Sequence, residues 1–475
     1  MSLADDVELL LKHIQSTEEQ NRVDHNSALF DIYEGNLLKY ILEDIKAQFS
    51  PKAQEQIQHR LAPINILIKY VDKLSKIYQQ NPKRMVSTGE QRDKDALEYY
   101  TEKMNFDVKM NNSNEFYNLF KNTLIEPFLH RGMPRLRAIP SDMFWVWSND
   151  MEDPNFGTHV AVSMGKDRTS GKSKAGRTIY RAYTDDEFLI FDSEGEIRTD
   201  IMQKLELDND NGENPVGRIP FTYANMSQNL LTPQVDSDVL KMVKVLPILI
   251  SDLNYSVMYQ AFSLVYGINV DTEGIEKNPD SFIEFRSSKQ AEGEPKIGII
   301  KPEVDINEVL NLVQSQFSFW LNTRGVRAGS IGQVSAEQFA SGISKLIDEM
   351  DTFEARQKQV VTFQAAEQDL WSLILNHMDP FWRKNEMLDV NAPREASDGV
   401  EVKTEFPMQL PMIQRGQTVT DLEKERDAGF ISTKRAIQKL NPRMDSDEID
   451  ALITEIKQEN GLSINLEDVD GGTGV

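Results

Sequence analysis

The chain has 475 residues, enough for about three domains, and contains no cysteine, which excludes disulfides, thiolate metal sites and cysteine nucleophiles. With 76 acidic and 52 basic residues its net charge is −24, which argues against tight binding of nucleic acid through a broad basic face. An acidic surface repels duplex DNA, so DNA would pass along it without adhering.

The sequence also disfavours export and membrane insertion. The first residues lack a basic region followed by an apolar stretch, so we expect no secretory signal. Polar residues interrupt the longest charge-free stretch, Leu253 to Val270, which makes it too polar to span a membrane. We therefore expect synthesis in the cytoplasm and no membrane partner.

The N-terminal half changes from helical to β-rich. Apolar spacing predicts mainly helices over the first 130 residues and short strands from about Arg135 onward. Four runs rich in β-branched and aromatic residues predict an antiparallel sheet with hairpins. They are Met143 to Trp147, His159 to Val162, Thr178 to Tyr183 and Phe188 to Phe191.

The middle of the chain predicts two helices on either side of a small insert. The first helix, about Asp236 to Ser263, contains Pro247, which predicts a kink or a break. The insert, Leu264 to about Val304, has strand-like runs, and the second helix covers about Asp305 to Asn322.

A segment with several glycines, Thr323 to Val334, follows the second helix and predicts a flexible loop. Its two charged residues, Arg324 and Arg327, would either contact phosphates or pair with nearby carboxylates, and the sequence leaves both alternatives open.

A long helix is predicted after this loop. Ser335 begins a capping-box pattern, and helical apolar spacing continues from Glu337 to Leu375, which gives about 39 residues and roughly 58 Å. The apolar stripe predicts either ordinary core packing or packing against neighbouring subunits, because such a length exceeds what a compact domain usually needs.

The C-terminal part predicts a strand-like stretch, Phe406 to Pro411, and then short helices with cap signatures at Thr420 and Asp445. We expect the tail from Glu467 to be disordered. Together the elements predict an α+β fold that is predominantly helical.

No constellation of residues indicates catalysis. The stretch Gly165 to Ser173 is similar to a phosphate-binding P-loop but has one residue too many between its glycines. Strand-like runs flank it on both sides, whereas a P-loop opens a helix, so we interpret it as a basic hairpin tip. The histidines lack metal-ligand spacing; they are His13, His25, His59, His130, His159 and His377.

Four stretches, in this order along the chain, resemble the portal family of tailed bacteriophages. The first stretch, Ile64 to Tyr78 followed by Asn81 and Pro82, is similar to the early helix of that family. The second, Asn214 to Phe221 followed by the helix through Ser251 to Ser256, is similar to the entry of its stem. The third stretch, Gln338 to Ile343, resembles the start of the long helix of that family. The fourth, Asp421 to Ile431 and on to Glu455 and Glu459, resembles its C-terminal crown.

The resemblance implies a portal fold with wing, two-helix stem, small α/β clip and helical crown, assembled as a ring of about twelve subunits. The implied boundaries are 1–235 for the wing, 236–263 and 305–322 for the stem helices, 264–304 for the clip, 323–334 for the tunnel loop, 335–416 for the long helix and its return to the wing, and 417–475 for the crown and tail.

The resemblance also implies a function, a ring-shaped channel at one capsid vertex for genome packaging, retention and ejection. In the tunnel loop, Arg324, Arg327 and Gln333 would face DNA. In the clip, Glu273, Glu276 and Lys277 would bind the packaging motor and later the tail adaptor. Portals of this family hydrolyse no nucleotide themselves, so we expect no enzyme activity, catalytic residue, metal or cofactor.

The implied partners are further copies of the chain, the terminase large subunit, the head-tail adaptor, the major capsid and scaffolding proteins, and double-stranded DNA. The protein would be found in the virion, and in the host cytoplasm during assembly. Two alternatives stay open, another phage structural ring protein such as an adaptor or baseplate component, and a cytoplasmic hydrolase. A central channel separates a portal from an adaptor, and a bound cofactor or metal would favour the hydrolase.

Overall fold

The computed structural model describes most of the chain. The described residues are 3–48, 50–58, 61–167, 176–204, 212–227, 229–261, 264–268, 270–271, 286–287, 296–300, 306–326, 342–389, 391–407, 412–441, 444 and 446–459. The fold is α+β and predominantly helical, as predicted. None of the described helices is long and apolar enough to cross a membrane.

In chain order the elements are α1 (Leu3–Ile14), α2 (Thr17–Tyr33), α3 (Leu37–Gln48), α4 (Pro51–Gln58), α5 (Leu67–Leu74), β1 (Lys83–Val86), α6 (Gln91–Lys103), α7 (Phe106–Phe120), β2 (Asn122–His130), β3 (Met133–Ile139), β4 (Phe144–Trp147), β5 (His159–Lys166), β6 (Thr178–Tyr183), β7 (Phe188–Asp192), α8 (Thr199–Lys204), β8 (Thr222–Asn225), α9 (Ser237–Ala261), β9 (Leu264–Ile268), β10 (Val270–Asp271), β11 (Arg286–Ser287), β12 (Lys296–Ile300), α10 (Ile306–Thr323), α11 (Gly342–Leu373), α12 (Asp379–Lys384), β13 (Val402–Glu405), α13 (Met412–Asp427), α14 (Thr433–Leu440) and α15 (Ser446–Glu459).

The chain divides into two compact units. The first consists of residues 1–12, 74–233 and 334–475, and the second of residues 13–73 and 234–333.

The sheets of the first unit are antiparallel. Strands β4, β5, β6 and β7 form one four-stranded sheet in sequence order, which confirms the predicted hairpins. Lys166 of β5 pairs with Thr178 of β6, so the P-loop-like stretch joins two antiparallel strands, as expected for a hairpin tip, although residues 168–175 lie outside the described residues. A second sheet has the order β3, β2, β8, and β1 pairs with β13.

The C-terminal half of the long helix lies in the core of the first unit. Phe363 and Trp371 of α11 are fully buried, and Trp371 stacks on Phe106 of α7 with ring centroids 4.3 Å apart. A π-helical turn, Ile374–Met378, joins α11 to α12. The core-packing alternative is therefore confirmed for this half, whereas the side chains before Arg356 lie outside the described residues.

The second unit contains α2 to α5 and the pair α9 and α10. Helix α9 continues through Pro247 without a break. The hydroxyl of Ser251 donates to the Pro247 carbonyl oxygen at 2.7 Å and accepts from the Ala62 N–H at 2.9 Å. Between α9 and α10, β9 pairs with β12 and β10 with β11, so a small β module separates the two helices.

Two predictions about elements are wrong. The β-rich part begins at Asn122 and not at about Arg135; β2 was not predicted because it is buried on both faces and lacks the alternation that marks a strand. The structure describes a late strand at Val402–Glu405, whereas most of the predicted stretch from Phe406 to Pro411 lies outside the described residues. Thr420 lies inside α13 and donates to the Gly416 carbonyl oxygen at 3.1 Å, so it does not cap that helix.

Candidate functional site: the Arg324 cluster

Only one of the predicted site residues lies in a described part of the chain. Arg324 follows directly after α10. Arg327 and Gln333 of the predicted tunnel loop lie outside the described residues, and so do Glu273, Glu276 and Lys277 of the predicted clip.

The end of α10 has a defined geometry. The Gly325 N–H donates to the Asn322 carbonyl oxygen at 3.1 Å, and the Val326 N–H donates to the Leu321 carbonyl oxygen at 3.0 Å. Gly325 has φ +66°, so these bonds form a Schellman motif with glycine in the left-handed position. Leu321 and Val326 are both fully buried, which supplies the apolar contact of that motif. The first residues of the predicted flexible loop are therefore fixed, because they end a helix.

The Arg324 side chain binds two carboxylates at the start of α9. Its Nη1 lies 2.6 Å from Asp236 Oδ2, and its Nη2 lies 2.5 Å from both oxygens of Asp238. The side chain of Arg324 is 20% exposed, that of Asp236 22% and that of Asp238 52%. For Arg324, the alternative of pairing with nearby carboxylates is therefore confirmed.

The electrostatics of this site favour the charged forms of Arg324 and Asp238. Burial would lower the pKa of Arg324, but hydrogen bonds to Asp236 and Asp238 outweigh it and raise that pKa. Burial would raise the pKa of Asp238, but its hydrogen bond with Arg324 and the charge of Arg324 hold that pKa below its ordinary value. The ion pair between Arg324 and Asp238 therefore persists over the whole neutral range.

An aromatic pair completes the Arg324 cluster, which we define as Arg324, Asp236, Asp238, Tyr70 and Trp320. The rings of Tyr70 and Trp320 lie 5.3 Å apart, and both are buried. Burial raises the pKa of Tyr70 to about 12, so its hydroxyl stays neutral, and the charge of Arg324 opposes this rise.

The cluster fixes the direction of the helix pair. Arg324 follows the end of α10 and its partners lie at the start of α9, so the two helices run antiparallel. The β module joins their other ends, roughly 27 Å away along the 18 residues of α10. The carboxylate of Asp238 in the first turn of α9 and the guanidinium at the end of α10 also complement both helix dipoles.

Sequence reasoning missed the partners of Arg324. Asp236 and Asp238 precede it by 88 and 86 residues, so no local pattern joins them. A usable signal exists, however, because acids at the start of one helix and an arginine after the end of the next meet whenever the helices form an antiparallel hairpin.

A second buried network lies in the first unit. The Glu367 carboxylate is fully buried and accepts from Tyr78, Arg84 and Thr404 at 2.8 to 2.9 Å. Arg84 also binds Asp107 at 2.7 Å. Through Arg84 of β1, Thr404 of β13 and Asp107 of α7, the network joins α11 to these three elements.

No group of histidine and carboxylate side chains among the described residues is arranged to hold a metal ion. Neither the models of known protein families nor the curated proteins include a match to this chain.

Proposed function

We propose that the chain is a portal protein, one subunit of a ring-shaped channel at a capsid vertex through which a phage genome is packaged, retained and ejected. In this proposal α9 and α10 form the stem, the β module forms the clip, and α13 to α15 belong to the crown. The ring has about twelve subunits. The protein belongs to the virion and is present in the host cytoplasm during assembly.

The observation that carries this proposal is the antiparallel pair of α9 and α10. One end of the pair is held by the Arg324 cluster, and the other end leads into a small β module. The segment after the cluster leads to the long helix α11. This order of helix, β module, helix, connecting segment and long helix is the order that the sequence resemblance implies for a stem, clip and tunnel loop.

The partners in this proposal are those that the sequence resemblance implies. The clip docks the terminase large subunit and later the head-tail adaptor, with Glu273, Glu276 and Lys277 as contacts. The wing meets the major capsid and scaffolding proteins, and double-stranded DNA passes through the channel. The motor hydrolyses nucleotide, so in this proposal the portal chain is not an enzyme and takes no cofactor.

The Arg324 cluster changes the expected role of the tunnel loop. Because the Arg324 charge is matched by two carboxylates, we propose that Arg324 positions the loop and that Arg327 is the arginine that meets phosphate. One arginine per subunit brings half the positive charge that both arginines would bring to the duplex, so we expect weaker contacts with its phosphates.

Native mass spectrometry of the purified full-length chain tests the assembly. We expect a species of about twelve subunits, and a monomer at every concentration and salt would contradict the proposal. In a packaging assay, Arg327→Ala should leave the ring intact and change the packaging rate or the retention of DNA. If both stayed at the wild-type level, the loop would be a connector without DNA contact.

A further inference from the structure

Two exposed surfaces of the first unit carry opposite charge. One is the basic hairpin, defined as β2, β3 and their turn, and the other is the acidic loop, defined as residues 148–158. We propose that the basic hairpin of one copy binds the acidic loop of a second copy. This inference rests on the proposed ring and adds the contact that joins its neighbours.

The arginines of the basic hairpin are held in fixed positions. Arg131 and Gly132 form its two-residue turn, both with positive φ, 53° and 77°. Arg135 and Arg137 lie two residues apart on β3 and therefore project from the same face of the sheet. Arg131, Arg135 and Arg137 are exposed at the surface of a chain that is strongly acidic as a whole.

The hairpin has more positive charge than its own acids can match. Its single acid, Glu126, is buried and shared by two arginines, with Arg137 Nε and Arg181 Nη2 each 2.6 Å from Oε2. Neither Arg131 nor Arg135 forms an ion pair with any residue that the structure describes. Their guanidinium groups are thus available to carboxylates of another molecule.

The acidic loop presents the complementary chemistry. It contains Asp150, Glu152 and Asp153 and no basic residue. The Asp150 Oδ1 accepts from the N–H groups of Glu152 at 2.8 Å and Asp153 at 3.3 Å, which fixes the shape of the loop. Two apolar side chains project from it, Met151 at 99% exposure and Phe156 at 60%.

Each surface combines charge with exposed apolar area. On the hairpin side Met133 is exposed, and so is Met387, which lies close to the turn because the Asp389 N–H donates to the Gly132 carbonyl oxygen at 3.2 Å. In the nearby carboxylate of Asp389, Oδ1 accepts from the N–H and the side-chain amide of Asn391 within its own loop. Apolar anchors surrounded by complementary charges are typical of specific protein interfaces.

The two surfaces lie at opposite ends of β2 in one copy. Gly157, near the end of the acidic loop, lies beside Leu231, and the Asn225 amide donates to the Leu231 carbonyl oxygen at 3.0 Å. Asn225 pairs with Asn122 at the start of β2, whereas the hairpin turn follows His130 at its end. The eight residue steps of β2 span about 26 Å, so the surfaces meet only between copies, head to tail, as a closed ring requires.

Charge reversal tests the contact. The hairpin variant carries Arg131→Glu and Arg135→Glu, and the loop variant carries Glu152→Lys and Asp153→Lys. We expect each variant alone to need at least about tenfold more protein for half-maximal assembly in native mass spectrometry. A control with Lys94→Glu and Lys403→Glu, two exposed lysines of the same unit, matches the charge change of the hairpin variant and should assemble like wild type.

The loop variant separates this contact from general repulsion. It makes the chain less acidic, so general repulsion alone would favour its assembly, whereas the proposed contact predicts a loss. An equimolar mixture of the hairpin and loop variants should assemble at close to the wild-type concentration, because each reversed surface meets a reversed partner.

Four results would overturn the inference. Assembly of both reversal variants at the wild-type concentration, or a mixture of the two that fails to assemble, would exclude this contact while leaving the proposed function intact. A hairpin variant that assembles normally but binds a fluorescent DNA duplex more weakly would assign the hairpin to DNA. A wild-type chain that stays monomeric would overturn the ring and this contact together.

Discussion

Replacing Arg324 by alanine should loosen the joined ends of α9 and α10. Arg324 and Asp236 are each about four-fifths buried, so most of the loss comes from this pair. Asp238 is 52% exposed, and solvent screening reduces its share. Exposed pairs contribute up to about 1 kcal/mol and breaking a buried pair costs about 3–5 kcal/mol, so the intermediate burial here gives about 2 kcal/mol of local stability.

Hydrogen exchange followed by mass spectrometry measures this loss locally. A loss of 2 kcal/mol corresponds to roughly thirtyfold faster exchange of the amides in the last turns of α10 and the first turns of α9. Arg324→Lys is the matched control, because it keeps the charge but not the planar fork that reaches both carboxylates, and it should show an intermediate increase. An increase below about threefold for Arg324→Ala would refute the view that this cluster holds the helix ends.

Three further predictions concern stability. Glu367→Gln should lower the free energy of unfolding by about 3 kcal/mol in urea denaturation, because it leaves the buried Arg84 charge without its main partner, and a loss under 1 kcal/mol would contradict this. Burial lowers the pKa of His159 in the folded state, so the unfolded chain takes up a proton at a higher pH than the folded chain does. The free energy of unfolding should therefore fall as the pH drops below about 6.5. In the His159→Asn variant this fall should be flatter between about pH 7 and 5. Gly325→Ala should cost about 1 kcal/mol because of its positive φ, whereas Gly416→Ala inside α13 should stabilise, and equal effects would exclude the Schellman motif.

The elements with a local periodic pattern of apolar residues could be predicted from the sequence. The helices predicted around Asp236 to Ser263 and Asp305 to Asn322 are present as Ser237–Ala261 and Ile306–Thr323. The four strands of the β4 to β7 sheet were likewise predicted, because apolar and aromatic residues recur in short runs separated by polar turns.

The features that were missed depend on residues far apart in the chain. Lys83 pairs with Glu405 across the β1–β13 sheet, and nothing near either residue marks that pairing. From the sequence, Gly325 indicates a flexible loop, but in the structure it occupies the left-handed position of the cap after α10. Glycine is common at both kinds of position, so the sequence does not distinguish them. The partners of Arg324 were missed for the same reason of distance.

Cryo-electron microscopy of the purified protein would show whether copies of this chain form a ring around a passage for DNA. We expect closed rings of about twelve copies, with the antiparallel α9–α10 pair repeated around an open axial channel wide enough for a duplex. Compact particles without an axial channel, or rings whose passage is closed along its length, would contradict this expectation.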